Sequence, residues 1–220
     1  MSNPVLVVVG AGPGIGMAVA RRFAAEGYDV GLVGRSEETV RELGEQLQAE
    51  GVTTGWTACD ATDAEALRAA VTRFGGFSGR IDALHFNPSA FRQLDPLHLS
   101  AAALLEDVAL GVAALLTAVQ AARPFMSAGA RVTATGSMAA DEPWHEAASL
   151  GVQKAGLRNL VRSLDTTLRP DGIRAVSLTV RGTLAPGTAF DPAHVAEAIR
   201  AAAARPDDDA WTDEVPFTGQ

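Results

Sequence analysis

Several things are scarce in this 220-residue chain, and each scarcity closes off a class of protein. There is one cysteine, Cys59, so no intrachain disulfide can form, and the chain suits a reducing compartment such as the cytoplasm. There is one tyrosine, Tyr28, near the N-terminus and in a segment that reads as structural. Positive charge is in deficit: 18 Lys and Arg against 26 Asp and Glu give a formal net charge of −8. That balance speaks against nucleic acid and against an anionic membrane surface as partner. No apolar run reads as long enough to span a bilayer. The early stretch PVLVVVGAGPGIGMAVA lacks a basic leader, and a Gly/Pro cluster interrupts it, so it does not read as a secretory signal. Charged residues make up 20% and apolar ones 47%, a globular balance rather than a disordered one.

What is present is alternation. Short β-branched runs bounded by glycine trade places with longer helical patterns along the whole chain. Strands are expected at 5–10, 30–34, 53–58, 82–87, 131–136 and 174–180, with a short last one near 211–217. Helices are expected at 14–26, from the Ser36 cap to Glu50, and at 64–74 behind Asp63 or Thr62. Further helices are expected at 100–123, 147–168 and 192–204. Repeated β-α units predict a doubly wound, seven-stranded parallel sheet with helices on both faces, in a single domain. The acidic run at 207–209 reads as a solvated loop.

The first strand runs into GAGPGIG, containing Gly10, Gly12, Gly14, Ile15 and Gly16. A tight turn followed by bare backbone at a helix N-terminus lets a pyrophosphate come close to free N–H groups. A glycine-rich run alone is weak evidence, but here it follows a buried strand and opens a helix. The second strand then ends in Gly34-Arg35-Ser36, where a fold preferring NAD(H) usually carries a carboxylate for the ribose 2′-hydroxyl. Without that carboxylate a 2′-phosphate is not repelled, and Arg35 can meet it with a planar fork. The plainer reading of Arg35 is a solvated loop arginine. Glu37 and Glu38 fall in the first helical turn, where acids suit the helix dipole. NADP(H) is therefore favoured over NAD(H).

From these residues onward the chain resembles the short-chain dehydrogenase/reductase family over nearly its whole length, which implies a Rossmann-type fold. VGAGPGIG is similar to that family's TGxxxGxG loop, with Gly10, Gly14 and Gly16 at its glycines. Asp60 and the backbone of Ala61 look like its adenine contacts; a satisfied loop cap is the alternative for Asp60. The family's NNAG becomes Phe86-Asn87-Pro88-Ser89, which keeps Asn87 for the cofactor site. GARVTATGSMAA looks like the strand that leads to the family's catalytic serine, placing that role on Ser137. Its YxxxK becomes Leu150-Gly-Val-Gln-Lys154, and the asparagine expected in the long helix falls on Gly111.

Ser137 and Lys154 thus remain while the tyrosine and asparagine are replaced. Leucine neither titrates nor donates a hydrogen bond, and losing a general acid typically costs about 10²–10⁴ in rate. Lys154 can still hold ribose hydroxyls. His145, between serine and lysine, is the candidate replacement acid, with a surface histidine as its plainer reading. His85 reads as a packed strand residue, His98 and His194 as peripheral. Trp144 is either a pocket wall or packing. Arg181-Gly182-Thr183 replaces the family's Pro-Gly motif, the connection after it is short, and Thr183 is a candidate cofactor contact. No metal site is expected. The resemblance implies a small-molecule substrate and a homodimer or homotetramer through helices 100–123 and 147–168. Three functions follow: an NADP(H)-dependent oxidoreductase with atypical proton delivery, a catalytically silent NADP(H)-binding protein, or another reaction on the same scaffold.

Overall fold

The structure is a computed structural model, described over residues 3–219. The first strand, β1, is five consecutive buried residues, Val5–Val9, in the interior of the sheet. Such a run fits a strand covered on both faces. The other strands are β2 (Asp29–Gly34), β3 (Thr54–Ala58), β4 (Ala83–Phe86), β5 (Arg131–Ser137), β6 (Arg174–Val180) and β7 (Glu214–Phe217). All pair in parallel, in the order β3-β2-β1-β4-β5-β6-β7.

Strand parity sorts the side chains into two cores. Val5, Val7 and Val9 face one side, with α3 (Ala64–Ser78), α5 (Ala114–Ala122) and α6 (Ala148–Leu168) over them. Leu6 and Val8 face the other, under α1 (Ile15–Ala24), α2 (Glu37–Ala49) and α7 (Pro192–Ala204). Fully buried residues such as Leu32 and Leu157 each contribute about 1.5–3 kcal/mol of burial.

The strand order reverses beside β1. The chain builds outward through β2 and β3, then returns to lay β4 on the opposite edge of β1. The loops leaving β1 and β4 therefore part in opposite directions and open a crevice at their carboxyl ends, the place where such sheets bind ligands.

Four helix starts are capped by side chains, two of them, Ser36 and Asp63, as expected. Ser36 Oγ accepts from the Thr39 amide, Asp63 from Glu65 and Ala66, Ser100 from Ala103, and Asp191 from Ala193. The α3 helix runs four residues past its expected end, to Ser78, where Gly79 takes the left-handed conformation at φ 73°. The last strand is shorter than expected, beginning only at Glu214.

The long helix expected at 100–123 is α4 (Ala101–Val108) and α5 joined by a π-helical turn, Ala109–Ala113, centred on Gly111. It also corrects the expectation about apolar runs. Ala101–Phe125 is 25 residues long and its most apolar 18-residue stretch has a mean hydropathy of 1.9, enough by length and composition to cross a membrane. Its leucines and valines carry most of that hydropathy, and in the fold it lies against α3 and α6. A second correction concerns the acidic run: Asp207 is not merely solvated but pairs with Arg174, which Asp165 holds from the other side.

Candidate active site

Two adjoining cavities lie at the carboxyl ends of the central strands. The larger, about 810 Å³, is lined by residues that include Gly10, Arg35, Asp60, Ala61 and Asn87. The smaller, about 330 Å³, is lined by residues that include Gly12, Ile15, Ser137, Leu150 and Lys154. Asn87 and Ser89 border both.

The glycine loop is shaped by close approach. Gly10 takes φ 84°, and a Cβ there would lie 2.7 Å from the Pro88 nitrogen. A Cβ on Gly16 would lie 2.9 Å from the Gly10 carbonyl oxygen, so the helix start is pressed against the turn. Gly12 and Gly14 differ: a Cβ on either would meet nothing within 4 Å, because both face open space. The α1 helix starts after Gly14 with no side-chain cap, unlike the four capped helices above, and with no acid in its first turn. Its free N–H groups and positive dipole end face the cradle. The shape and the donor set fit a dinucleotide pyrophosphate.

At the far end, Arg35 is exposed and forms no salt bridge among the described residues. It faces Asp60, whose Oδ1 accepts from the Thr62 amide at 2.9 Å and the Thr62 hydroxyl at 2.8 Å. Those two bonds, with Arg35 nearby, hold the Asp60 carboxyl below the usual carboxylate range. Asp60 is thus a satisfied loop cap and also a wall of the cavity. Ser36 spends one lone pair on the α2 cap, leaving its hydroxyl proton free.

Asn87 ties the crevice together. Its Nδ2 donates to the Gly10 carbonyl at 3.2 Å, and its Oδ1 accepts from the Thr135 hydroxyl at 2.9 Å. Behind it stands His85, fully buried, with Nδ1 2.9 Å from the Thr133 hydroxyl. Burial, with the Lys154 charge close by, pushes its imidazole down to about 3, so it is neutral. His85 is the packed strand residue its position suggested.

Lys154 is 5% exposed, and its Nζ donates to the Thr135 carbonyl at 2.9 Å. Burial pushes its ammonium down to about 8. Leu150 lies one helical turn earlier, on the same face of α6, and lines the same cavity. Ser137 ends β5 there, with Oγ accepting from the Ala139 amide at 3.2 Å.

The structure brings Ser137, Lys154, Leu150 and the glycine loop together. It leaves His145 apart: the residue is exposed in the short turn His145–Ala147 and is not among those lining the smaller cavity. Thr183 is exposed, while its neighbours Gly182 and Leu184 line that cavity. Trp144 is 43% exposed with its ring centroid 5.7 Å from that of Phe91.

Two residues that sequence reasoning passed over shape the site. Thr135 anchors both Lys154 and Asn87. Gln153, fully buried, grips the Ala90 backbone twice, accepting from its N–H at 3.0 Å and donating to its carbonyl at 3.1 Å. The polar alternation Thr133, Thr135 along an otherwise apolar strand was the available signal for the first. Gln153 meets Ala90 across 63 residues and left no local one.

Comparison with known proteins agrees with this geometry. The family described as short chain dehydrogenase matches residues 4–192. Cis-4-hydroxycyclohexanecarboxylate dehydrogenase of Sinomonas cyclohexanicum is 32% identical over 193 residues, covering 86% of this chain and 74% of its own length. A short-chain dehydrogenase/reductase of Arabidopsis thaliana is 28% identical over 200 residues, 90% of this chain and 75% of that protein. Among solved structures, a metagenomic short-chain oxidoreductase in complex with NADP superposes with a TM-score of 0.86 at 27% identity, covering 98% of this chain and 96% of the other. A dehydrogenase/reductase from Sinorhizobium meliloti shares the fold with a TM-score of 0.89 at 22% identity, over 100% and 96% of the two chains.

Proposed function

The chain belongs to the short-chain dehydrogenase family, and on that premise we propose that it binds NADP(H) and interconverts a carbonyl and an alcohol on a small molecule. The observation that carries the cofactor preference is Arg35, exposed and without a salt bridge among the described residues, just after β2, where the sequence places no carboxylate. The NADP complex of the metagenomic relative supports the same reading.

Within this reading the Gly10–Gly16 loop and the α1 N-terminus hold the pyrophosphate, and Arg35 with the Ser36 hydroxyl receives the 2′-phosphate. Asp60 and Ala61 border the adenine. Lys154 holds the nicotinamide ribose, and the Ser137 hydroxyl donates to the substrate oxygen. The dinucleotide, when bound, supplies or accepts the hydride. Leu150 contributes an apolar wall and excludes water but moves no proton.

A second reading rests on Leu150 and Gly111 themselves: a protein that binds NADP(H) and no longer turns over. Purified protein incubated with NADPH and a panel of aldehydes and ketones separates the two. The oxidoreductase reading expects NADPH consumption matched by alcohol formation. Binding of NADPH without consumption across the panel leaves the silent reading.

Self-association is part of the proposal. Only 33% of the most apolar stretch of Ala101–Phe125 is buried, and Leu105, Leu116 and Val152 lie exposed on α4, α5 and α6. A homodimer or homotetramer through these helices covers them. Sedimentation at micromolar concentration checks this, and a monomer there contradicts it. The lone, free Cys59 supports a cytoplasmic setting.

A further inference from the structure

Lys154 is the only lysine in the chain; every other residue among its 18 Lys and Arg is an arginine. A guanidinium does not release its proton near neutral pH, whereas an ammonium does once burial lowers its pKa. Among the lysine and arginine side chains, the one able to give up a proton is therefore the one that lines the smaller cavity. No carboxylate, imidazole, phenol or thiol lines that cavity with it.

The surroundings leave Lys154 uncompensated. From β4 it meets His85, buried and neutral. From β5 it meets the Thr135 carbonyl and Ser137, neither of them charged. On α4, Asp107 is engaged by Arg92 at 3.0 Å, and on α6 itself Arg158 pairs with Asp141 and Glu214. No carboxylate pairs with Lys154 among the described residues. One N–H of the ammonium goes to Thr135, which leaves two directed elsewhere.

We propose that Lys154 Nζ itself delivers the proton to the substrate oxygen during carbonyl reduction and takes it back during alcohol oxidation. The assignment rests on the oxidoreductase reading above. In reduction, a hydride from the reduced nicotinamide reaches the carbonyl carbon with its electron pair, and the C=O π pair moves onto oxygen. The N–H bond of the Lys154 ammonium breaks as the O–H bond forms. The neutral amine left behind regains a proton from solvent water at the cavity mouth. Leu150 keeps the amine desolvated, which makes the proton easier to give up.

The sign of the pH dependence follows. Reduction needs the ammonium, so its rate falls as pH rises through about 8; oxidation needs the amine, so its rate rises across the same range. Selective ¹⁵N-lysine labelling gives one side-chain signal, and its titration, with and without NADPH, reads the protonation state without any turnover. The expected midpoint is near pH 8, against the ordinary 10.5. In parallel, kcat/KM for reduction and oxidation is measured against pH for the wild type and Lys154→Arg. Arginine keeps the cation and its donors yet cannot release the proton. Lys154→Arg should lose about 100-fold or more in kcat and its pH break, while NADPH affinity changes less than about tenfold.

A lysine signal still titrating above pH 10 overturns the proposal whether or not the variant folds. So does a Lys154→Arg enzyme that keeps the wild-type rate and pH break, and in that case the oxidoreductase reading survives. Absence of wild-type turnover despite NADPH binding overturns that reading and the Lys154 assignment together.

Discussion

The amide of Gln153 fills the space in front of Gly111 so closely that a Cβ on that glycine would lie 2.6 Å from Oε1 and 3.0 Å from the Gln153 Cβ. Gly111 is the position where the family resemblance expects an asparagine. It sits in the π-helical turn Ala109–Ala113. The space before it is taken by a glutamine reaching over from α6 and clasping the Ala90 backbone.

Gly111→Asn alone should therefore destabilise the fold by about 1–3 kcal/mol, the usual cost of overpacking. Combining it with Gln153→Ser should recover part of that loss. Chemical denaturation of the two single variants and the double variant measures the coupling. A neutral Gly111→Asn would contradict the packing described.

Gly10→Ala should destabilise the protein and weaken NADPH binding together. The left-handed backbone at φ 84° costs about 1–2 kcal/mol for a residue with a Cβ. The Pro88 backbone nitrogen at 2.7 Å cannot move aside as a side chain would. Denaturation midpoints and NADPH titration check both halves. Alanine tolerated in both assays would show the turn to be less constrained than this.

Leu150→Tyr restores a phenol one helical turn before Lys154, on the face that lines the smaller cavity. Carbonyl reduction should rise by about tenfold or more, within the 10²–10⁴ that a placed acid supplies. Steady-state kinetics on the same carbonyl panel measures it. An unchanged rate with NADPH binding intact would mean that proton delivery is not what limits turnover.

His85 makes stability depend on mild acid. Its folded pKa of about 3 lies below the unfolded 6.5, so the unfolded chain binds the extra proton between those values. The contribution is fully present above pH 6.5 and is lost as pH falls toward 3, by at most about 1.4 kcal/mol per pH unit. Unfolding free energies between pH 6.5 and 5 should fall for the wild type and fall less for His85→Gln. Parallel curves for the two proteins would show that the buried imidazole is not the titrating group.

Much of the architecture was legible because it depends on local signals. β-branched runs marked strands covered on both faces, and Ser36 and Asp63 marked helix starts through side-chain oxygens that accept from backbone N–H groups. GAGPGIG announced a turn, and Gly10 and Gly16 occupy the crowded positions within it. The features that were not legible all depend on distance in the sequence. The Gln153–Ala90 clasp, the Arg174–Asp207 pair and the His85–Thr133 contact join residues 63, 33 and 48 positions apart. The π turn leaves the apolar pattern of the long helix intact, so periodicity did not reveal it. His145 stood between Ser137 and Lys154 in sequence; in the fold it is exposed in the turn His145–Ala147 and is not among the residues lining the smaller cavity.

In the function proposed above, the cofactor site takes a 2′-phosphate and binds its dinucleotide although the tyrosine position is filled by leucine. Calorimetric titration of the purified wild type with NADPH and with NADH, beside Arg35→Ala, tests it most directly. NADPH should bind at least about tenfold tighter than NADH, as one charge-assisted bidentate contact would supply, with Arg35→Ala losing that preference while still binding NADH. Equal affinities in the wild type, or no binding of either dinucleotide, would contradict it.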